Sequence, residues 1–334
     1  MRYRTLGKTG LEVSSICMGT MSFGGDANRE TATAMVGAAR DAGINFFDCA
    51  DVYNKGAAEE ILGAAIADVR DQVVIATKAY FPTDKDVNAR GSSRYHLVRA
   101  VEDSLRRLGT DRIDLFYLHR FDDKTDLEDT MRTLDDLVSA GKILYPAVSN
   151  FSAWQVSKAL GICARRGYAP PVCVQPMYNL VKRQAEVEIL PMAMSEGLGV
   201  VSYSPLGGGL LSGRYGVVRR PKEGRLIDNQ MYVTRYGDSH YFEVAEQFSA
   251  LAAKHGLEPV TLAIAWVKSR PGITAPIIGG RDLEQIRPAL AAAELELDEE
   301  LAGEVAALWP APPPATDRNE EQSSFNYSST LSKS

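Results

Sequence analysis

Cysteine is scarce in this chain. Its four residues in 334, Cys17, Cys49, Cys163 and Cys173, are too scattered for a disulfide scaffold or a zinc site. Positive charge is not in excess either: 37 Lys and Arg against 43 Asp and Glu leave a net charge of −6. No basic block stands out, which argues against a nucleic-acid binder, whose affinity needs a concentrated cationic footprint. No uncharged run approaches the roughly 18 apolar residues of a membrane span. The opening stretch Met1–Val13 lacks the apolar core of a signal peptide. These absences lead to the expectation of a reduced, soluble, cytoplasmic protein with no nucleic-acid and no membrane partner. What is present is an ordinary globular composition, 45% hydrophobic and 24% charged, which excludes a disordered or fibrous chain.

Short apolar runs alternate with longer segments of helical period. Ser15–Met18, Asn45–Phe47, Val73–Thr77, Ile113–Leu118, Ile143–Val148, Val172–Gln175, Val200–Tyr203 and Pro276–Ile278 read as buried strands. Between them, Glu30–Asp41, Ala57–Val69, Arg94–Leu108, Leu127–Ser139, Ala153–Arg166 and Glu186–Ser195 read as helices. The last interval holds a long Gly-rich loop, then helices Tyr241–Lys254 and Glu258–Ser269; Asp282–Ala293 and Glu299–Leu308 follow the final strand. Strands nearly continuous in Val, Ile and Phe suit a parallel sheet covered on both sides. The expected fold is therefore an α/β (β/α)8 TIM barrel with an N-terminal β-hairpin, turning at Lys8-Thr9-Gly10, and long loops at the C-terminal face. An open doubly wound sheet is the alternative, but the Gly-rich turn it usually carries after its first strand is missing. The barrel is expected to occupy residues 1–309, and 310–334 to form a polar Pro/Ser-rich tail with little structure of its own.

In such barrels catalytic groups stand at the carboxyl ends of the strands. The second strand is followed by Asp48 and Tyr53, the third by Lys78 and the fourth by His119. A lone buried ammonium is costly, so Asp48 is the natural partner of Lys78. A carboxylate–ammonium pair beside a phenol is expected to lower the phenol from its usual value near ~10, letting it protonate a carbonyl oxygen. His119 can hydrogen-bond the same oxygen. No nucleophile or metal set has suitable spacing, so a bound cofactor must bring the hydride. Asp51 and Arg120 flank these groups, with water-facing charge as the plainer reading of both. Tyr178 and Lys182 have the spacing of the short-chain dehydrogenase pair, but the Gly-rich loop that pair needs is missing. Cys49 reads as a small buried residue.

The order and context of Asp48, Tyr53, Lys78 and His119 resemble the aldo-keto reductase superfamily. So do Gly19-Thr20-Met21, Val148-Ser149-Asn150-Phe151, Gln175, Tyr203-Ser204-Pro205-Leu206 and Ile278-Gly279-Gly280-Arg281. The resemblance covers nearly all of Met1–Ala293 and implies NADPH-dependent reduction of an aldehyde or ketone, a small-molecule carbonyl, with the oligomeric state left open. It implies Tyr53 as general acid, Lys78 and Asp48 as its partners, and His119 as orienter. It further implies NADP(H) contacts: Gly19, Thr20, Met21 and Asp48; Ser149, Asn150 and Gln175 on the carboxamide; Tyr203 on the nicotinamide face; Ser204, Leu206, Gly208 and Arg214 at the pyrophosphate; Gly279 and Arg281 toward the 2′-phosphate; Gln285 at the adenine. The chain is also similar to the β subunits of voltage-gated potassium channels, which implies a cofactor-binding regulatory subunit as the alternative. A biosynthetic keto-sugar reductase is a third possibility. Pro288 and Ala289 replace usual adenine contacts. Pro146 stands where an aliphatic–Gly pair is usual, so the fifth strand is expected to be irregular there. The arginine-rich loop Gly207–Tyr241 is read either as a lid over the cofactor or as a solvated surface loop.

Overall fold

A computed structural model describes residues 1–324. Ten strands form along it: β1 Tyr3–Thr5, β2 Glu12–Ser14, β3 Cys17–Gly19, β4 Phe46–Asp48, β5 Val74–Ala79, β6 Ile113–Leu118, β7 Ile143–Ser149, β8 Cys173–Gln175, β9 Gly199–Ser202 and β10 Ala275–Ile278. Strands β3 to β10 pair in parallel, each with its sequence neighbour, and β10 returns to β3 through Ile277 opposite Cys17. The sheet is a closed (β/α)8 barrel. The helices around it are α1 Arg29–Asp41, α2 Ala57–Ile66, α3 Arg94–Leu108, α4 Leu127–Ser139, α5 Ala153–Arg166, α6 Ile189–Glu196, α7 Arg225–Asp228, α8 Gln230–Tyr236, α9 Ser239–Lys254, α10 Pro259–Ser269, α11 Leu283–Ala291 and α12 Glu299–Ala307. No helix of the described residues is long and apolar enough to cross a membrane.

Alternation along each strand produces two cores. Inward residues such as Phe46, Ala76, Leu115, Tyr117, Ala147 and Val201 fill the barrel. Outward residues such as Phe47, Ile75, Phe116, Val148 and Val200 pack under the helices. The β1–β2 hairpin closes the amino-terminal end, with Leu6 fully buried. A Cβ on Gly199 would come within 2.5 Å of Leu6, so the start of β9 has no room for a side chain against this plug. With one end stoppered, chemistry is confined to the other.

The local differences from expectation have simple causes. Helix α2 gives way to a 3-10 segment, Ala67–Gln72, in which Val69 leaves helical angles; Arg70 there binds the backbone oxygens of Val73 and Arg112. Helix α6 starts three residues later than expected, which puts Pro191 in its first turn, where no N–H is needed. The fifth barrel strand, β7, runs unbroken through Pro146, contrary to the expected irregularity. The Pro146 carbonyl accepts from Val172, just ahead of β8. In a strand the N–H and C=O of one residue point the same way, so the missing donor faces chain before β8 begins and no ladder bond is lost. The long interval after β9 contains helices α7 and α8 rather than loop alone. Beyond α12 the chain to residue 324 carries one 3-10 turn, Asn319–Gln322; the remainder of the expected tail lies outside the described residues.

Candidate active site

The carboxyl ends of the strands open into a cavity of about 1030 Å³ lined by Asp48, Tyr53, His119, Ser149, Asn150, Gln175 and Tyr203 among others. Strand β5 extends one residue past Lys78, which brings that side chain inside the barrel at 0% exposure. Its Nζ donates to Asp48 Oδ2 at 2.5 Å and to the Cys49 carbonyl at 2.7 Å, and lies 3.5 Å from the Tyr53 hydroxyl. Asp48 is held on its other oxygen by Gln175 Nε2 at 2.8 Å. Burial pulls the Lys78 ammonium down, but Asp48, with Tyr53 and Cys49 acting in the same direction, outweighs it and leaves the lysine above its ordinary range. Cys49 is fully buried, as its small-residue reading required.

The expectation of a lowered phenol is not met. Burial pushes Tyr53 up to about 12, and the opposing pull of Lys78 is too weak to reverse it. The site therefore stores the proton on Tyr53 throughout the neutral range. Burial, with Lys78 adding to it, brings the His119 imidazole down to about 3, so the ring is neutral. Its Nδ1 is buried without a partner. A proton on Nε2 leaves no buried donor stranded and gives the ring one N–H to offer an oxygen. The Tyr53 and His119 rings meet edge to face at 6.1 Å.

The opposite rim is built for a different task. Asn150 and Ser204 both take left-handed backbone angles, φ 57° and 63°, which non-glycine residues adopt at a cost. Asn150 is held by three contacts: its Nδ2 donates to His119 O and Ser149 Oγ, and its Oδ1 accepts from Tyr203. Gly207, Gly208 and Gly209 all have positive φ. A Cβ on Gly208 would fall 2.6 Å from the Tyr232 ring, so this cradle exists because the side chain does not. Gly19, Thr20, Met21, Leu206, Arg214, Gly279, Arg281 and Gln285 all border the same cavity. Gln285 reaches back to accept the Arg281 N–H, and Asp282 caps the start of α11 by accepting from Gln285 N. Within the long interval, Arg214, Arg225 and Arg235 line the cavity, whereas Arg220 stacks on Phe242 at 3.5 Å. Tyr178 and Lys182 engage Glu186 and Tyr241 respectively and form no pair.

Two features escaped the sequence reading. Asn54, left-handed at φ 48°, donates to the Met21 and Phe23 carbonyls and so ties the Tyr53 segment to the loop after β3. Behind it, Glu59 is fully buried; it accepts from Thr77 Oγ1 at 2.5 Å and from Arg107 Nε at 2.6 Å. A Glu in the first turn of α2 carries no mark in the sequence that it is buried. Asp51 is also corrected: it is 3% exposed, not water-facing, and neither carboxyl oxygen has a partner. Burial, and Glu59 beside it, push Asp51 up to about 8. The folded chain thus keeps a proton that the unfolded chain releases near ~3.9, and stability drains away as pH rises between those values. Asp51→Asn removes that loss. The variant is expected to exceed the parent in urea-unfolding stability by up to about 5 kcal/mol at pH 8, with the gap closing toward pH 4.

The chain matches the model of the Aldo/keto reductase family over residues 15–310. It is 38% identical to an uncharacterized oxidoreductase, YrpG, of Bacillus subtilis, covering 93% of this chain and 97% of the relative. It is 36% identical to a probable voltage-gated potassium channel subunit beta of Oryza sativa, over 86% of this chain and 89% of the relative. A norsolorinic acid reductase B of Dothistroma septosporum is 34% identical, over 93% and 82% of the two chains.

Proposed function

The chain belongs to the aldo/keto reductase family, and from that premise we propose that it reduces an aldehyde or ketone to an alcohol with NADPH, Tyr53 serving as the general acid. The bound dinucleotide would supply the hydride. The chain's own residues supply the rest. His119 donates its N–H to the carbonyl oxygen and fixes its position against the phenol. Tyr53, protonated at working pH, yields its proton as negative charge gathers on that oxygen. Lys78 stands next to the emerging phenolate and neutralises it, which the ammonium does only while Asp48 and the Cys49 carbonyl hold it in place.

The carrying observation is the contact of a buried, carboxylate-held ammonium with a cavity-facing tyrosine, beside a glycine cradle fit for a pyrophosphate. Ser149, Asn150 and Gln175 are assigned to the carboxamide, Tyr203 to the nicotinamide face, and Ser204, Leu206, Gly208 and Arg214 to the pyrophosphate. Arg281 and Gln285 are assigned to the adenosine end. The small partner is the carbonyl compound, and a cytoplasmic setting would keep the buried thiols reduced. Fluorescence titration with NADPH and NADH, followed by a screen of aromatic and aliphatic carbonyls, tests the reading; binding without turnover of any carbonyl would favour the regulatory-subunit alternative, which the potassium-channel relative brings into view.

Arg281 is exposed at the rim, and only NADPH offers it a phosphate dianion. Arg281→Ala is expected to weaken NADPH by roughly 10–100-fold, the range of a charge-assisted bond, with a much smaller change for NADH. Equal losses for both dinucleotides would remove the 2′-phosphate assignment.

A further inference from the structure

The segment that carries Tyr53 also borders a second cavity, of about 210 Å³, which Val52 separates from the mouth of the barrel by lining both. One wall is the loop after β5, folded on itself where Thr83 N donates to Ala89 O at 3.3 Å; another is α3, through His96, Ala100 and Arg107. Two buried side chains on this lining are unsatisfied among the described residues. Asp51 is 3% exposed and neither carboxyl oxygen has a partner; His96 is 4% exposed and its Nε2 has none. The Asp51 backbone is fixed, its N–H donating to the Lys78 carbonyl at 3.1 Å. Charge around Asp51 does not balance. Glu59 accepts from Arg107 Nε at 2.6 Å, and the Lys78 ammonium is committed to Asp48. An ionised Asp51 is therefore left over. Nearer the surface the lining is even, with Lys55 and Arg99 offset by Asp84 and Asp103.

We propose that this second cavity binds a small amidinium or guanidinium compound, whose fork of N–H donors meets the two free oxygens of Asp51. A planar fork and a carboxylate pair through two parallel bonds, and the cation supplies the charge that Asp51 lacks. Burial, with Arg99 beside it, lowers the His96 imidazole, so near neutral pH the ring has no charge to repel the ligand and Nε2 can accept a further N–H. A metal ion fits less well, because among the described residues no three metal-ligating side chains come together. Val52, Pro82, Ala89 and Ala100 add an apolar surface for a flat group. A cavity of roughly 150 Å³ holds benzene, so about 210 Å³ has room for such a ring carrying one amidine.

The test is calorimetric titration of the full chain with benzamidine and with its neutral analogue benzamide. Benzamidine is expected to bind one to one, and more tightly than benzamide by about 10-fold or more. Asp51→Asn keeps the shape and removes the charge, so it should weaken benzamidine by about 10–100-fold and change benzamide far less. The parent alone gives a second reading. Asp51 holds its proton up to about 8, and the ligand must displace it. Benzamidine affinity should climb roughly 5–10-fold between pH 6.5 and 7.5. About one proton should leave per ligand at the lower pH, read as heats that differ between buffers of unlike ionisation enthalpy. Equal binding of the two compounds, binding indifferent to Asp51→Asn, or binding without proton release overturns the site. So does a failure of benzamidine to saturate the parent at millimolar concentration. No outcome involves turnover, so the site stands or falls apart from the reductase reading.

Discussion

Tyr53→Phe is expected to lower kcat by a factor of about 10²–10⁴, the usual worth of a positioned general acid, while NADPH binding is retained. The substitution removes one oxygen and leaves the ring that packs edge to face with His119. The cavity keeps its shape and the dinucleotide its walls. What is lost is the proton at the point where the carbonyl oxygen becomes an alkoxide. Single-turnover loss of NADPH fluorescence on mixing with an aldehyde measures the chemical step directly, and equilibrium quenching measures binding. Because burial holds the phenol near 12, the parent's reduction rate should not fall through loss of the tyrosine proton anywhere between pH 6 and about 9. A parent rate that dropped with an apparent pKa well below that limit would mean the proton comes from another group. A Phe variant with full turnover would mean the same.

The fold, and the gathering of Asp48, Tyr53, Lys78 and His119 at one mouth, were legible because they obey local rules. Helix α3 begins at Arg94 because Ser93 caps it by accepting from His96 N, and ends at Leu108 because Gly109 takes the left-handed angle that follows. Gln155 caps the start of α5 by accepting from Ser152 N, and Gly167 closes the helix in the left-handed conformation. Strand runs and caps of this kind are written in a few adjacent residues. Asp48 and Lys78 were visible as charges at the ends of apolar runs, where burial demands a partner. The sign of the Tyr53 shift was not visible, since it depends on how much water the assembled barrel excludes. Nor was Glu59: its partners Thr77 and Arg107 arrive from β5 and α3, and a first-turn glutamate looks the same in sequence whether it faces water or a buried guanidinium. Helices α7 and α8 were obscured by glycine and arginine within a short interval, where periodicity has too few turns to register. Pro146 misled in the other direction, because its harmlessness is set by where the neighbouring strand starts.

Lys78→Met should damage both stability and catalysis, and the two losses can be separated. Taking one member out of a buried ion pair leaves the other charged in a dry site, which typically costs about 3–5 kcal/mol. Here the stranded group is Asp48, with Gln175 Nε2 as its remaining side-chain donor. The lysine's folded value lies above its unfolded one, so its contribution is complete below the unfolded pKa of roughly 10.4 and disappears only as pH climbs through the folded value. Read by urea unfolding, the lysine's own contribution should therefore be constant from pH 6 to about 9. Adding Asp48→Asn should restore a large part of the variant's lost stability, since the orphaned charge goes with it. Catalysis should not be restored. In the double variant no ammonium stands 3.5 Å from the Tyr53 hydroxyl to neutralise a forming phenolate, and kcat should stay low even where the protein is again fully folded. A double variant that recovered turnover along with stability would reduce Lys78 to a structural pin and remove electrostatic support of the tyrosine from the mechanism.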